Sequence, residues 1–328
     1  MHITILGAGS WGSALAIALA PRHQVMLWGR NHDVIQQAAQ IRQHQGFNLP
    51  AELLLSSDWD QALAHVQAPG SLCIIGSSVA GLRPLCQALR SHTVPNVVWL
   101  CKGLEEGSLL LPHQVVEQEL GLELPCGALS GPSFAQEVAH GQPCALTIAS
   151  HSPDLSALVV SALHGPALRV YSSDDVIGVE VGGAVKNIMA IATGVADGLG
   201  LGLNARAALI TRGLAEITRL GQALGGQLET FMGLAGVGDL ILTCTGDLSR
   251  NRRVGLGLAQ GKPLAQIVEE LGHVAEGVRC AQAVQTLSRK YQVEMPLTNA
   301  VAGVLFDGDS VEDMVRRLLA RDAKAELH

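Results

Sequence analysis

The chain has 328 residues, which favours two domains, because a single core usually stops growing at about 250–300 residues. Apolar residues make up 48% and charged residues 16%, which argues against disorder and supplies ample material for a core. The net charge of −7 and the lack of Lys/Arg blocks argue against a nucleic-acid-binding surface, while saying little about small anionic substrates.

Residues 3–20, "ITILGAGSWGSALAIALA", carry no charge and end before Pro21 like a secretory signal. No Lys or Arg precedes them, and glycines interrupt the apolar run, so a strand, a turn and a helix explain them better. No membrane span is expected, and the protein is placed in the cytoplasm. Seven cysteines without a Cys-x-x-Cys pair form neither a disulfide framework nor a zinc site.

The first element is the β-rich run "HITIL", residues 2–6. Gly7, Gly9 and Gly12 follow in "GAGSWG", then a helical stretch, then a second strand "QVMLWG" ending at Gly29. This order turns a weak glycine motif into a dinucleotide-binding signature. One glycine makes the turn, one lets the backbone approach a pyrophosphate, and one lets helix and strand pack closely. The second strand leads into "WGRNHD". Arg30 suits a 2′-phosphate, so NADP is favoured, while Asp33 keeps NAD open.

Further strands are expected at 71–78, 96–103, 126–131, 144–150 and 168–173. Helical stretches separate the early ones, which implies a parallel sheet with helices on both faces. Such sheets bind ligands beyond the carboxyl ends of their strands. Lys102 ends one strand, and is either solvated or part of a site. Ser130-Gly131-Pro132-Ser133 reads as a turn before a helix start, where Ser133 and the early amides would suit an anion.

After about residue 175 the pattern is helical. The division is placed at residue 178, giving domains 1–178 and 179–328. Lys186 lies inside the apolar helix "VEVGGAVKNIMAIATG". Its helical neighbours are Gly182, Gly183, Met189, Ala190 and Thr193, a small face that suggests room for something else. In "GLAGVGDLILTCTGDLSRN", Asp239 precedes an apolar run, and Asp247, Ser249, Arg250 and Asn251 cluster. Ser-Arg-Asn suits a phosphate or polyol; a helix cap at Asp247 or Ser249 is the plainer alternative. Glu276 sits near another helix start. The histidines show no metal-ligand spacing, so no metal is expected.

Taken in order, "GAGSWG", "CKGLE", "SGPSFAQEV", "GGAVKNIMAIATG", "GVGDLILTCTGDLSRN" and "AEG" resemble the bacterial NAD(P)-dependent glycerol-3-phosphate dehydrogenases. The resemblance implies an α/β Rossmann-like amino-terminal domain followed by an all-α carboxy-terminal domain, with the site between them. It implies reversible reduction of dihydroxyacetone phosphate to sn-glycerol 3-phosphate, supplying phospholipid synthesis. By motif position, Lys186 would be the proton donor and acceptor. Lys102, Gly131, Ser133, Asp239, Ser249, Arg250 and Asn251 would contact substrate. Ser10, Trp11, Arg30, Lys102, Ala135, Arg250, Val274 and Glu276 would contact the cofactor, NADP or NAD. Trp11 departs from the tyrosine or phenylalanine frequent at that place.

A donor lysine needs a pKa near operating pH. Burial and Lys102 would lower it, and a nearby Asp239 would oppose them. A small-molecule substrate is the expected partner, with a homodimer among the open options. A 3-hydroxyacid or ketopantoate-type dehydrogenase is the alternative; such an enzyme is expected to lack "CTGDLSRN". A non-catalytic nucleotide sensor would not need Lys186 and Asp239 together.

Overall fold

The structure, a computed structural model, describes residues 1–272 and 275–320. The strands are β1 (His2–Leu6), β2 (Gln24–Trp28), β3 (Gln43–His44), β4 (Phe47–Asn48), β5 (Leu54–Ser56), β6 (Leu72–Ile75), β7 (Val97–Trp99), β8 (Cys126–Ser130), β9 (Cys144–Ala149) and β10 (Leu168–Ser173). Eight of them form one sheet in the order β10-β9-β8-β7-β6-β1-β2-β5, and β3 and β4 pair as a separate ribbon. The side chains of β1 alternate between the two faces. Ile3 and Ile5 enter the core beneath helix Ser10–Leu19, while Leu6 enters the core shared with Cys86 and Val115. Such alternation follows from the pleat, and runs apolar on both faces mark a sheet covered on both sides.

Two features differ from expectation. Strands β8 and β9 are antiparallel, whereas the other neighbours in the sheet are parallel. The connection between them holds only the five-residue helix Ala135–Ala139, roughly 7.5 Å long against roughly 16 Å for a five-residue strand. It is too short to carry the chain back along the sheet. The second difference is β5 with the β3–β4 ribbon, short elements that the sequence pattern does not reveal.

Beyond β10 the described elements are helical. The central helix, Val176–Gly198, starts at Asp175, whose carboxylate accepts from the amides of Gly178 and Gln227, both at 2.8 Å. Residue 178 therefore lies in its first turn. This helix is long and apolar enough to cross a membrane by length and composition, yet 94% of that stretch is enclosed by the rest of the protein. A helix apolar all round is what a core needs at its centre. Helices Gly202–Ala223, Asp239–Thr245, Arg250–Ala259 and Glu276–Lys290 surround it.

Candidate active site

Strand order reverses between β1 and β6, the place where open α/β sheets bind ligands. Gly7 turns there with φ +129°, and a Cβ on it would lie 2.7 Å from the backbone of Gly76 and Ser77. A Cβ on Gly12 would overlap the carbonyl of Gly7. Both glycines are thus explained by the protein itself. Gly9 is different: a Cβ there would meet nothing nearer than Gly76 O at 3.8 Å. Helix Ser10–Leu19 starts beside it with no side-chain cap and no acidic residue in its first turn. Open space over uncapped amides fits a dinucleotide pyrophosphate. The ribbon steadies this loop: His44 Nε2 donates to the Ala8 carbonyl at 2.8 Å, and Ser10 Oγ to Gln45 Oε1 at 3.1 Å. Trp11 is partly buried against the sheet core, and Arg30 is exposed two residues beyond β2.

Three charged side chains meet between the two halves of the chain. Lys186, 6% exposed on the central helix, donates to Asp239 Oδ1 and to Thr243 Oγ1, the latter at 2.9 Å. Lys102, three residues past β7, donates to Asp239 Oδ2 at 2.7 Å and reaches Gly131 O at 3.4 Å. Asp239 is 1% exposed. It opens helix Asp239–Thr245, directly after the π-helical turn Leu234–Gly238.

Glycine explains how Asp239 gets so close. A Cβ on Gly182 would stand 2.5 Å from the carbonyl of Ala235, so only glycine lets the central helix touch the π turn. A Cβ on Gly183 would stand 3.3 Å from Lys102 Cγ. On the Gly182 and Gly183 side, the space beside Lys186 is therefore taken by the π turn and the Lys102 stem.

Burial pushes the Lys186 amine down, Asp239 pulls it up and Lys102 pushes it down again, leaving it at about 8. Burial raises the Asp239 carboxyl, but Lys102 and Lys186 outweigh it and hold it below the usual carboxylate range. A lysine with its pKa near 8 can give a proton as the ammonium and take one as the free amine close to neutral pH. Thr243 was not singled out from the sequence. Its hydroxyl accepts from Lys186 and donates to Asp239 O at 2.6 Å. The available signal was its place one helical turn after Asp239.

The Ser-Arg-Asn cluster separates into three environments. Ser249 caps helix Arg250–Ala259, accepting from Arg252 N at 3.2 Å. Asn251 accepts from Gly277 N and donates to Asn187 Oδ1, both at 2.9 Å, tying three helices together. Arg252 is engaged by Asp197 and Asp247, and Arg253 by the Asp247 carbonyl. Arg250 is exposed, and its guanidinium makes no hydrogen bond to the described residues; Glu276 faces it electrostatically. Burial raises the Glu276 carboxyl, against the pull of Arg279 and Arg250. A Cβ on Gly103 would lie 3.9 Å from Glu276 Oε2 and 2.8 Å from Cys280 Sγ, so the Lys102 segment, Glu276 and Arg250 converge.

Gly131 has φ +140°, and a Cβ on it would meet Ala145 O at 2.8 Å. Ser133 precedes the cap residue Phe134 and donates to Gly131 O at 3.0 Å, while Ala135 is the first residue of the short helix. The rings of Pro132 and Phe134 face Gly238 and Gly246, closing this loop onto the Asp239 helix. Val274 lies outside the described residues. A cleft of about 500 Å³ between β9–β10 and residues 227–235 is lined by none of the predicted site residues.

Residues 2–156 match the amino-terminal domain of NAD-dependent glycerol-3-phosphate dehydrogenases, and residues 175–316 match the carboxy-terminal domain. A glycerol-3-phosphate dehydrogenase (NAD(P)+) of Herminiimonas arsenicoxydans is 67% identical, with both chains covered in full. One from Paucimonas lemoignei is 68% identical over 99% of this chain and 98% of its own. The crystal structure of glycerol-3-phosphate dehydrogenase from Coxiella burnetii superimposes with a TM-score of 0.91 at 41% identity, covering 97% of this chain and 98% of that one. The glycine turn at the switch point, the buried Lys-Asp-Lys group and these matches over nearly the whole chain agree: the protein belongs to the NAD-dependent glycerol-3-phosphate dehydrogenase family.

Proposed function

We propose that the chain catalyses the reversible reduction of dihydroxyacetone phosphate to sn-glycerol 3-phosphate, using NADPH or NADH. The observation that carries this reading is the buried group in which Lys102 and Lys186 share Asp239, in a chain of this family. A 3-hydroxyacid or ketopantoate-type activity is not favoured by relatives of 67–68% identity.

The coenzyme would be held by the Gly7–Gly12 turn together with Ser10, Trp11, Arg30, Ala135 and Glu276, and when bound it would supply the hydride. The protein must then place the ketone and deliver a proton to its oxygen. Lys186 delivers that proton, and in the reverse direction takes it from the C2 hydroxyl. Asp239 orients the amine and holds Lys102 beside it, where a second ammonium steadies negative charge growing on the oxygen. Arg250 takes the phosphate, because its guanidinium is the uncommitted one in its cluster and matches a phosphate in a forked geometry. Gly131 and Ser133 form the facing wall. Ser249 and Asn251 shape the pocket through their cap and clamp.

Residues 1–178 chiefly serve the coenzyme and 179–328 the substrate and proton transfer, with Lys102, Gly131 and Ser133 reaching the substrate from the first part and Glu276 the coenzyme from the second. The enzyme would act in the cytoplasm to feed glycerophospholipid synthesis, and sedimentation would test a homodimer. The direct experiment follows loss of reduced-nicotinamide absorbance with dihydroxyacetone phosphate, with NADPH and NADH in parallel. Turnover with either coenzyme supports the reading, and an NADPH preference that Arg30→Ala removes assigns the 2′-phosphate to Arg30. Folded protein that binds NADPH and leaves dihydroxyacetone phosphate untouched refutes the substrate.

A further inference from the structure

The segment that carries Lys102 is closed by one carboxylate. Glu180, 5% exposed, lies on the central helix six residues before Lys186. Its Oε1 accepts from Trp99 Nε1 at 2.9 Å and from His113 N at 2.8 Å, and its Oε2 from His113 Nδ1 at 2.5 Å. Trp99 ends β7, three residues before Lys102, and His113 lies in the first turn of helix Pro112–Leu120. Both ends of the intervening stretch therefore finish on Glu180. Between them, Arg83 grips Glu105 with two hydrogen bonds of 2.7 Å, and Gly103 lies against Cys280 at φ +140°. The Lys102 stem crosses Gly183, one helical turn beyond Glu180.

Packing alone does not call for a carboxylate here. Replacing a buried ionic group by apolar residues of like volume is often neutral or stabilising. Burial pushes the Glu180 carboxyl up despite its donors. Burial works against the His113 imidazolium as well, yet Glu180 raises that ring above its ordinary value. What the group supplies is three directed hydrogen bonds to two points of another segment, which fix position where apolar contacts permit sliding.

We propose that Glu180 is a positioning residue for the reaction: by holding Trp99 and His113 together it keeps Lys102 against Asp239 and beside Lys186. The proposal rests on the place given to Lys102 under Proposed function, so that place is measured first. Lys102→Ala alone should lower kcat/KM for dihydroxyacetone phosphate; no loss would remove Lys102 from the site and overturn the proposal with it.

The deciding experiment is a double-mutant cycle. Glu180→Ala should lower kcat/KM about a hundredfold in the wild-type background, the scale of an ångström-sized misplacement. In the Lys102→Ala background the same change should cost less than about threefold, because coupled residues are not additive. Glu180→Gln keeps one oxygen to accept from Trp99 Nε1 and His113 N, and its amide NH2 donates to His113 Nδ1 once the neutral ring takes the other tautomer, so this variant should stay within about threefold of wild type. Within each background, NADPH affinity, read by nicotinamide fluorescence, should be unchanged by either Glu180 substitution. An equal loss in both backgrounds, or a Gln variant as poor as Ala, would show a merely structural carboxylate. If Glu180→Ala does not fold, Trp99→Phe, which removes one donor and keeps the ring, goes through the same cycle against the same criteria.

Discussion

The pH dependence of the reaction tests the buried lysine directly. Lys186 is brought from the ordinary 10.5 to about 8, a change worth about 3 kcal/mol. The ketone must receive a proton, so reduction requires the ammonium. Its kcat/KM should be level below pH 8 and fall about tenfold per unit above it. Oxidation of glycerol 3-phosphate requires the free amine, so its kcat/KM should rise through the same region. Asp239→Asn removes the carboxylate that raises the amine and leaves burial and Lys102 pushing it down. The limb should then move below 8, and less of the amine would be protonated at neutral pH. Stability carries the opposite signature. Because the folded pKa is the lower one, folding strengthens as pH rises from about 8 to 10.5, and the full penalty stands below 8. The assay is initial-rate kinetics in both directions with saturating coenzyme, plus urea unfolding across the same range. A reduction limb near 10, or one that Asp239→Asn leaves in place, would refute the assignment.

Two further outcomes separate roles that the sequence grouped together, and a third concerns His65. Arg250→Ala should raise KM for dihydroxyacetone phosphate by about 1.5–3 kcal/mol, the worth of a hydrogen bond to a charged group, and leave the melting temperature unchanged; an unchanged KM places the phosphate elsewhere. Ser249→Ala should instead cost about 1 kcal/mol in urea unfolding, as lost caps do, with a much smaller change in KM than Arg250→Ala. His65 is pushed down to about 4 by burial and by His2. Its ring is neutral in the fold while the unfolded chain takes up a proton from 6.5 downwards, so its contribution to stability is lost as pH falls from 6.5 towards 4. Differential scanning calorimetry of His65→Gln should show a shallower fall across that window than wild type.

Most of the sheet could be read along the chain, because its strands are apolar on both faces and bounded by glycine or polar turns. "HITIL" is a strand over the residues expected, and Cys144–Ala149 is one residue short of the expected 144–150. Strand β5 has three residues with one exposed leucine, and the ribbon strands have two each; pieces that short show no period. The antiparallel return at β9 depends on the length of one helical turn rather than on any strand residue. Within the site, Lys186, Lys102 and Asp239 were named from motif order, and the structure brings them together. What could not be read was the π turn that aims Asp239, because it arises from a backbone contact between Gly182 and Ala235. The same contact accounts for one of the two glycines beside Lys186. Ser249 shows the converse: the plain capping alternative described its hydrogen bond, and the motif alone could not.

Two ammoniums sharing one carboxylate leave the interior with an uncancelled positive charge. Water screens it poorly there. An anion bound beside the group would offset that charge, and the offset would add to its affinity. Small oxyanions should therefore raise the melting temperature in proportion to how well they offset it, and glycerol, which has the product's carbon skeleton without its charge, should not.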